Sequence, residues 1–278
     1  MVYPNLKQSV WLLVLFYLYN IALAIPVAIV GAIIDQPLHT NSYTIGFLSL
    51  VSCALVLRYV LRRTEGTWSD IVPLKGVSWH LLFPLVLSIL GLLIVISELG
   101  NVVMYVIPMP DMLQNVFQEL LGKKTSYRSA FFIAVVQAPL TEEVFFRGII
   151  LTGLLAHCSQ SKAIVWSAFL FAAFHMNPWQ FPTAFLLGLA FAWWVIQTGS
   201  LLPAIVGHAL NNFLAVTFAR LEISGFSKDL SDVTFQPWWL DICGVILAAV
   251  GLWWFYHMTN EEQTQEIVIE AQPEQVGA

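Results

Sequence analysis

The chain has 278 residues, 58% of them apolar and only 10% charged, with a formal net charge of −5. A soluble domain carries roughly 25% charged residues, so this composition excludes a freely soluble globule as well as a disordered or collagen-like chain. No basic stripe is present to displace the counterions of a polynucleotide, which excludes nucleic-acid binding.

The mean hydropathy of +0.76 and apolar runs of twenty or more residues predict an all-α, polytopic membrane helical bundle. Polar punctuation divides the chain into about eight transmembrane helices, at 9–34, 43–62, 79–107, 129–156, 162–177, 180–198, 201–220 and 237–258. The first apolar run, Val10 to Ile34, outlasts the roughly 7–15 residues of a signal-peptide core, so it is read as a retained span. The third and fourth spans exceed what a core of about 30 Å requires, and Pro84 and Pro139 inside them are expected to interrupt a hydrogen-bond rung. The fifth is short and is expected to lie partly below the membrane surface. Trp79, Trp179, Trp193, Trp194, Trp238, Trp239, Trp253, Trp254 and Tyr256 gather near span ends and read as an aromatic belt.

The densest basic loop holds Arg62, Arg63 and Lys75, with Arg58 just inside the helix, and places that loop in the cytoplasm. With an even span count both termini follow it; Lys123, Lys124 and Arg128 would then face outward. Residues 1–258 read as one membrane domain without an internal repeat, and 259–278 as an acidic, disordered cytoplasmic tail (Glu261, Glu262, Glu266, Glu270, Glu274). Cys53, Cys158 and Cys243, widely spaced in apolar sequence, read as small hydrophobes.

The fourth span carries Glu142, Glu143 and Arg147. A charge at the centre of a span costs about 2.5–3.5 kcal/mol, against a return of about 0.3–0.6 kcal/mol per large apolar residue. This helix therefore needs partners within the bundle or a water-filled cavity. Glu143 and Arg147 stand four apart with the acid first, the favourable order for an ion pair, and read as mainly structural. Glu142, about 100° further round, is the spare carboxylate; the competing reading is that all three form one stabilising cluster.

Two later spans supply polar groups. His175 ends the fifth, and His208, Asn211 and Asn212 lie within the seventh. His208 and Asn212, at i and i+4, project the same way, with Asn211 a rival to Asn212. His39, His80, His157 and His257 fall in loops or at span ends and read as interfacial. One carboxylate, two imidazoles and an amide in a semi-polar cavity suit water-mediated hydrolysis of a peptide bond. The acid takes a proton from water, a histidine orients that water or protonates the leaving amine, and N–H donors meet the oxyanion. No serine or cysteine has a comparable partner, and the H-E-x-x-H zinc signature is absent.

E-E-V-F-F-R (142–147), F-A-A-F-H (171–175) and H-A-L-N-N (208–212) resemble, in order, the E-E-x-x-x-R, F-x-x-x-H and H-x-x-x-N motifs of the CPBP family, the CAAX-protease and bacteriocin-processing intramembrane proteases. The similarity covers about residues 129–215. It implies a glutamate-dependent intramembrane endopeptidase with Glu142 as the water-activating base, His175 as its partner, His208 and Asn212 as the oxyanion site, and Glu143 and Arg147 in support. The family has also been described as zinc-dependent, which would make Glu142, His175 and His208 metal ligands. A His–Asn donor pair suits an oxyanion better than a cation, so no cofactor is the favoured reading.

The eukaryotic branch of the family trims prenylated CAAX proteins, and bacterial relatives process peptides or confer immunity. The expected partners are therefore a membrane-associated protein or peptide substrate and the lipid bilayer; oligomeric state stays open. Short loops and the lack of a targeting segment suggest a prokaryotic plasma membrane. Two further readings stand beside the protease. One is a non-enzymatic membrane binding or immunity protein. The other is a proton-coupled transporter with a Glu142–His175 relay, against which the missing inverted repeat counts.

Overall fold

Asn5 opens the first helix. Its side chain accepts from the Gln8 N–H at 3.0 Å while the Gln8 side chain accepts from the Asn5 N–H at 2.8 Å, a reciprocal cap. In this computed structural model, which describes residues 3–114, 126–221 and 233–271, α1 then runs Leu6–Ile33. Asn41, accepting from the backbone of Tyr43 and Thr44, starts α2 at Ser42–Leu61. Six more helices follow: α3 Leu82–Val106, α4 Tyr127–Leu155, α5 Gln160–Phe174, α6 Phe181–Thr198, α7 Leu202–Leu221 and α8 Trp238–Ala271. Between α2 and α3 a single turn, Trp68–Ile71, is capped by Thr67, whose backbone and hydroxyl both donate to Asp70 at 2.7 Å. Those bonds hold the Asp70 carboxyl below its ordinary range.

Among the described residues there is no strand, and seven helices are long and apolar enough to cross a bilayer. The chain is a multi-pass membrane protein. The eighth expected span is α5, which at 15 residues extends only about 22 Å at 1.5 Å per residue. It nevertheless carries the chain from one face of the bundle to the other. On one face the Leu201 N–H donates to the Pro73 carbonyl at 2.8 Å and Ser200 Oγ to the Lys75 carbonyl at 2.7 Å, while Gly153, near the end of α4, lies against Pro4. On the other, Trp179 Nε1, just past α5, donates to the Ile107 carbonyl at the end of α3.

Three expectations need correction. Pro84 interrupts no rung, because α3 begins at Leu82 and a proline in the first turn lacks only an N–H that would have had no intrahelical partner. The tail is helical through Ala271: Glu and Gln are good helix formers, and nothing breaks the run before Pro273. Residues 272–278 of that tail, like Lys123 and Lys124, lie outside the described residues. Trp194 does not belong to an interfacial belt. It is fully buried, with its indole against Gly207 and 5.7 Å from the Phe255 ring.

α3 and α8 pack closely against each other. A Cβ on Gly91 would come 2.6 Å from the Gly244 carbonyl oxygen, and one on Gly251 would come 2.6 Å from Ser88 Oγ. In lipid, where apolar burial gives no drive between helices, such small-residue contacts let dispersion and backbone proximity hold the pair. α1 is attached more lightly. Val10, Val14, Leu18, Ile21, Ile25 and Ile29 all face outward. Its inner side packs Phe16 against Phe174 and Phe145, with ring centroids 5.3 and 5.5 Å apart, and the Tyr17 hydroxyl donates to the Phe174 carbonyl.

Candidate active site

α4 departs from a uniform α-helix where its charges sit. Phe132–Gln137 and Val144–Leu151 are wound as π-helix, on either side of the α-helical turn Ala138–Glu143. The Ala138 N–H reaches back five residues to the Ile133 carbonyl. Pro139, which has no N–H to give, falls at the junction, so the chain widens around it. Stretches of this kind are frequent at functional sites.

Glu143 and Arg147 pair as their spacing predicts, with Arg147 Nη1 donating to Glu143 Oε1 at 3.1 Å, both side chains fully buried. Two buried charges need more than each other to offset their desolvation. Arg147 Nη2 donates to the Gly188 carbonyl at 3.0 Å, and the guanidinium lies over the Phe171 ring at 4.4 Å and the Phe191 ring at 5.4 Å. Glu143 gains a second donor that its spacing does not reveal: His208 Nδ1, at 2.7 Å.

That bond orients the His208 ring. With Nδ1–H given to Glu143, Nε2 is the nitrogen left for chemistry, and it lies 3.9 Å from Glu142 Oε2. The imidazole is stacked on Phe191 at 5.1 Å and meets Phe171 edge-on at 5.8 Å. His175 is oriented in the same manner. Its Nδ1 lies 2.9 Å from the Phe171 carbonyl, and a carbonyl only accepts, so Nδ1 carries a hydrogen and Nε2 is the nitrogen left. Asn212 Nδ2 donates to the Ala134 carbonyl at 2.8 Å, and Asn212 Oδ1 accepts from Asn211 Nδ2 at 3.1 Å. One N–H of the Asn212 amide remains.

Glu142, His175, His208, Asn211 and Asn212 all line one cavity of about 440 Å³, between α3, α4, α5, α6 and α7. Among the described residues Glu142 Oε2 is buried without a hydrogen-bond partner. The sequence-predicted candidates therefore separate into two groups. Glu142, His175, His208 and Asn212 meet at the cavity, while Glu143 and Arg147 stand behind it and reach it through His208. Asn211, weighed as a rival to Asn212, is present too. Ser97, Gln180 and Thr183 also line the cavity, and sequence reasoning missed them. The only signal was polarity on the inward side of apolar helices.

A zinc-dependent family member would need a ligand set here. Among the described residues no three His, Cys, Asp or Glu side chains are grouped closely enough to hold a metal ion.

Residues 124–214 match the family model of Rce1-like type II CAAX prenyl endopeptidases, about a third of the chain and all of the segment that carries the three motifs. Neither the curated proteins nor the solved structures gave a match. The likeness is to that family of endopeptidases and extends over the matched segment.

Proposed function

We propose that the protein is a glutamate-dependent endopeptidase that hydrolyses a peptide bond of a membrane-associated protein or peptide, with no resident metal. A water in the cavity donates one hydrogen to Glu142 and the other to His175 Nε2. As Glu142 takes its proton, the hydroxide oxygen bonds to the scissile carbonyl carbon. The His208 ring, held through Nδ1 by Glu143, offers Nε2–H, and this and the remaining Asn212 N–H stabilise the oxyanion. Collapse breaks the C–N bond, and the proton held by Glu142 passes to the leaving amine. The net change is one water consumed, one acid and one amine released.

The observation that carries this reading is the contrast between adjacent carboxylates. Glu143 accepts from both Arg147 and His208, whereas Glu142 has no such partner and faces the cavity with both histidines. The test uses an internally quenched farnesylated CAAX peptide and purified protein. Glu142→Gln is expected to abolish cleavage while membrane abundance is unchanged, and wild-type cleavage is expected to survive strong chelation. Cleavage by Glu142→Gln would move the base elsewhere, and loss on chelation would restore a metal. For orientation, we place both termini in the cytoplasm of a prokaryotic cell. Arg62, Arg63 and Lys75 share a face of the bundle with Pro4 and Gly153, which favours that arrangement.

A further inference from the structure

Glu142 lines a second void, on the side toward α1 and α2. It measures about 20 Å³ and is walled by Phe16, Phe145, Phe146 and Phe174, with Ser49, Thr141 and Glu142 as its polar members. A cavity needs at least about 10–15 Å³ to hold a water, and that water needs two to four polar partners. This void has room for one water.

Among the described residues, the hydrogen bonds around it leave one donor over. Gln137, buried on α4, gives one amide hydrogen to Ser49 Oγ at 3.0 Å and the other to Thr141 Oγ1 at 2.9 Å. Thr141 passes its own hydrogen to the Gln137 carbonyl at 2.9 Å. Ser49 therefore accepts from Gln137 and keeps its hydroxyl hydrogen for the void. Glu142 supplies an acceptor on the same wall.

We propose that this void is a binding site for one structural water, which accepts from the Ser49 hydroxyl and donates to the Glu142 carboxylate. Gln137 and Ser49 are then positioning residues for the base, acting through that water from outside the substrate cavity. Ser49 stands on α2, beyond the segment matched by the family. A water bridge of this kind is nearly as favourable as a direct hydrogen bond, and it fixes the carboxylate from behind while its front meets substrate. The positioning role rests on Glu142 being the base; the water site does not.

The test compares Ser49→Thr, which keeps the hydroxyl, with Ser49→Val, which has the same shape without it. An experimental structure at a resolution that resolves ordered water is expected to show one water between Ser49 and Glu142 in the wild type and in Ser49→Thr, and none in Ser49→Val. Absence of that water from the wild type, or its persistence in Ser49→Val, overturns the site. On the farnesylated peptide, Ser49→Val is expected to lower kcat roughly 10-fold, the scale of one lost hydrogen bond to a charged group, with KM and abundance unchanged. Ser49→Thr is expected to stay within about twofold of wild type. If Glu142→Gln is inactive and Ser49→Val keeps full kcat, the positioning role fails alone. If Glu142→Gln cleaves, or the wild type leaves the peptide intact, the protease reading fails and the water site is still judged by its density.

Discussion

His208 Nδ1 and Glu143 Oε1 lie 2.7 Å apart, and the same oxygen takes Arg147 Nη1 at 3.1 Å. Three ionisable side chains from two helices thus share one atom, while the carboxylate next in sequence stays out of the arrangement. Glu143 holds the His208 ring through Nδ1. It fixes which nitrogen of His208 faces Glu142, much as a buried acid orients the imidazole of a hydrolytic triad.

Glu143→Leu leaves Arg147 buried without its counter-charge. Removing one partner of a buried pair costs about 3–5 kcal/mol, so membrane abundance and the detergent melting temperature should both fall sharply. Glu142→Gln should change neither. If the two variants accumulate equally, the division of labour between these acids is wrong.

Arg147→Lys keeps the charge and should still destabilise. A lysine ammonium cannot reach Glu143 and the Gly188 carbonyl together through a fixed fork, nor lie flat over Phe171. We expect a loss of about 2 kcal/mol, in line with one charge-assisted hydrogen bond, read as a lower melting temperature. A variant as stable as wild type would mean that the bond to Gly188 contributes nothing.

His175→Asn separates holding from chemistry. The asparagine amide can replace Nδ1 in donating to the Phe171 carbonyl but puts nothing where Nε2 stood. Folding should survive, and cleavage should fall by about 10²–10⁴, the usual range for an acid–base group. Wild-type turnover in this variant would remove His175 from the reaction.

Gly251→Val tests the α3–α8 seam, where even a Cβ would come 2.6 Å from Ser88 Oγ. Overpacking of this kind costs about 1–3 kcal/mol. The expected result is lower abundance with unchanged kcat per folded molecule, since neither Gly251 nor Ser88 lines the cavity.

Much of the site could be read from residue order, and the unreadable part has a common physical character. The Glu143–Arg147 spacing and the separate direction of Glu142 are local, so helical periodicity exposes them, and the three motifs stand in residue order as a resemblance. The His208–Glu143 bond joins residues 65 apart, and the anchors for Arg147, His175 and Asn212 are backbone carbonyls of Gly188, Phe171 and Ala134. A carbonyl looks the same on every residue, so no pattern marks it in advance. The π-wound stretches of α4 escaped in their extent: Pro139 marks an interrupted rung, but one proline does not say how far the widening runs. The eight-span count met a limit at α5, where length reads as too short but neighbouring contacts carry the chain across.

The tether between Tyr17 and Phe174 links residues 157 apart. At about 5–20 residues per second of synthesis, α1 leaves the ribosome roughly 10–30 s before its partner carbonyl exists. Through that interval it must be a self-sufficient lipid-embedded rod, and its outward-facing aliphatic side chains equip it for the wait. Docking of α1 onto α5 is then a late act of assembly, and the wall of Phe16 beside Glu142 is completed only after both motif helices α4 and α5 have been inserted.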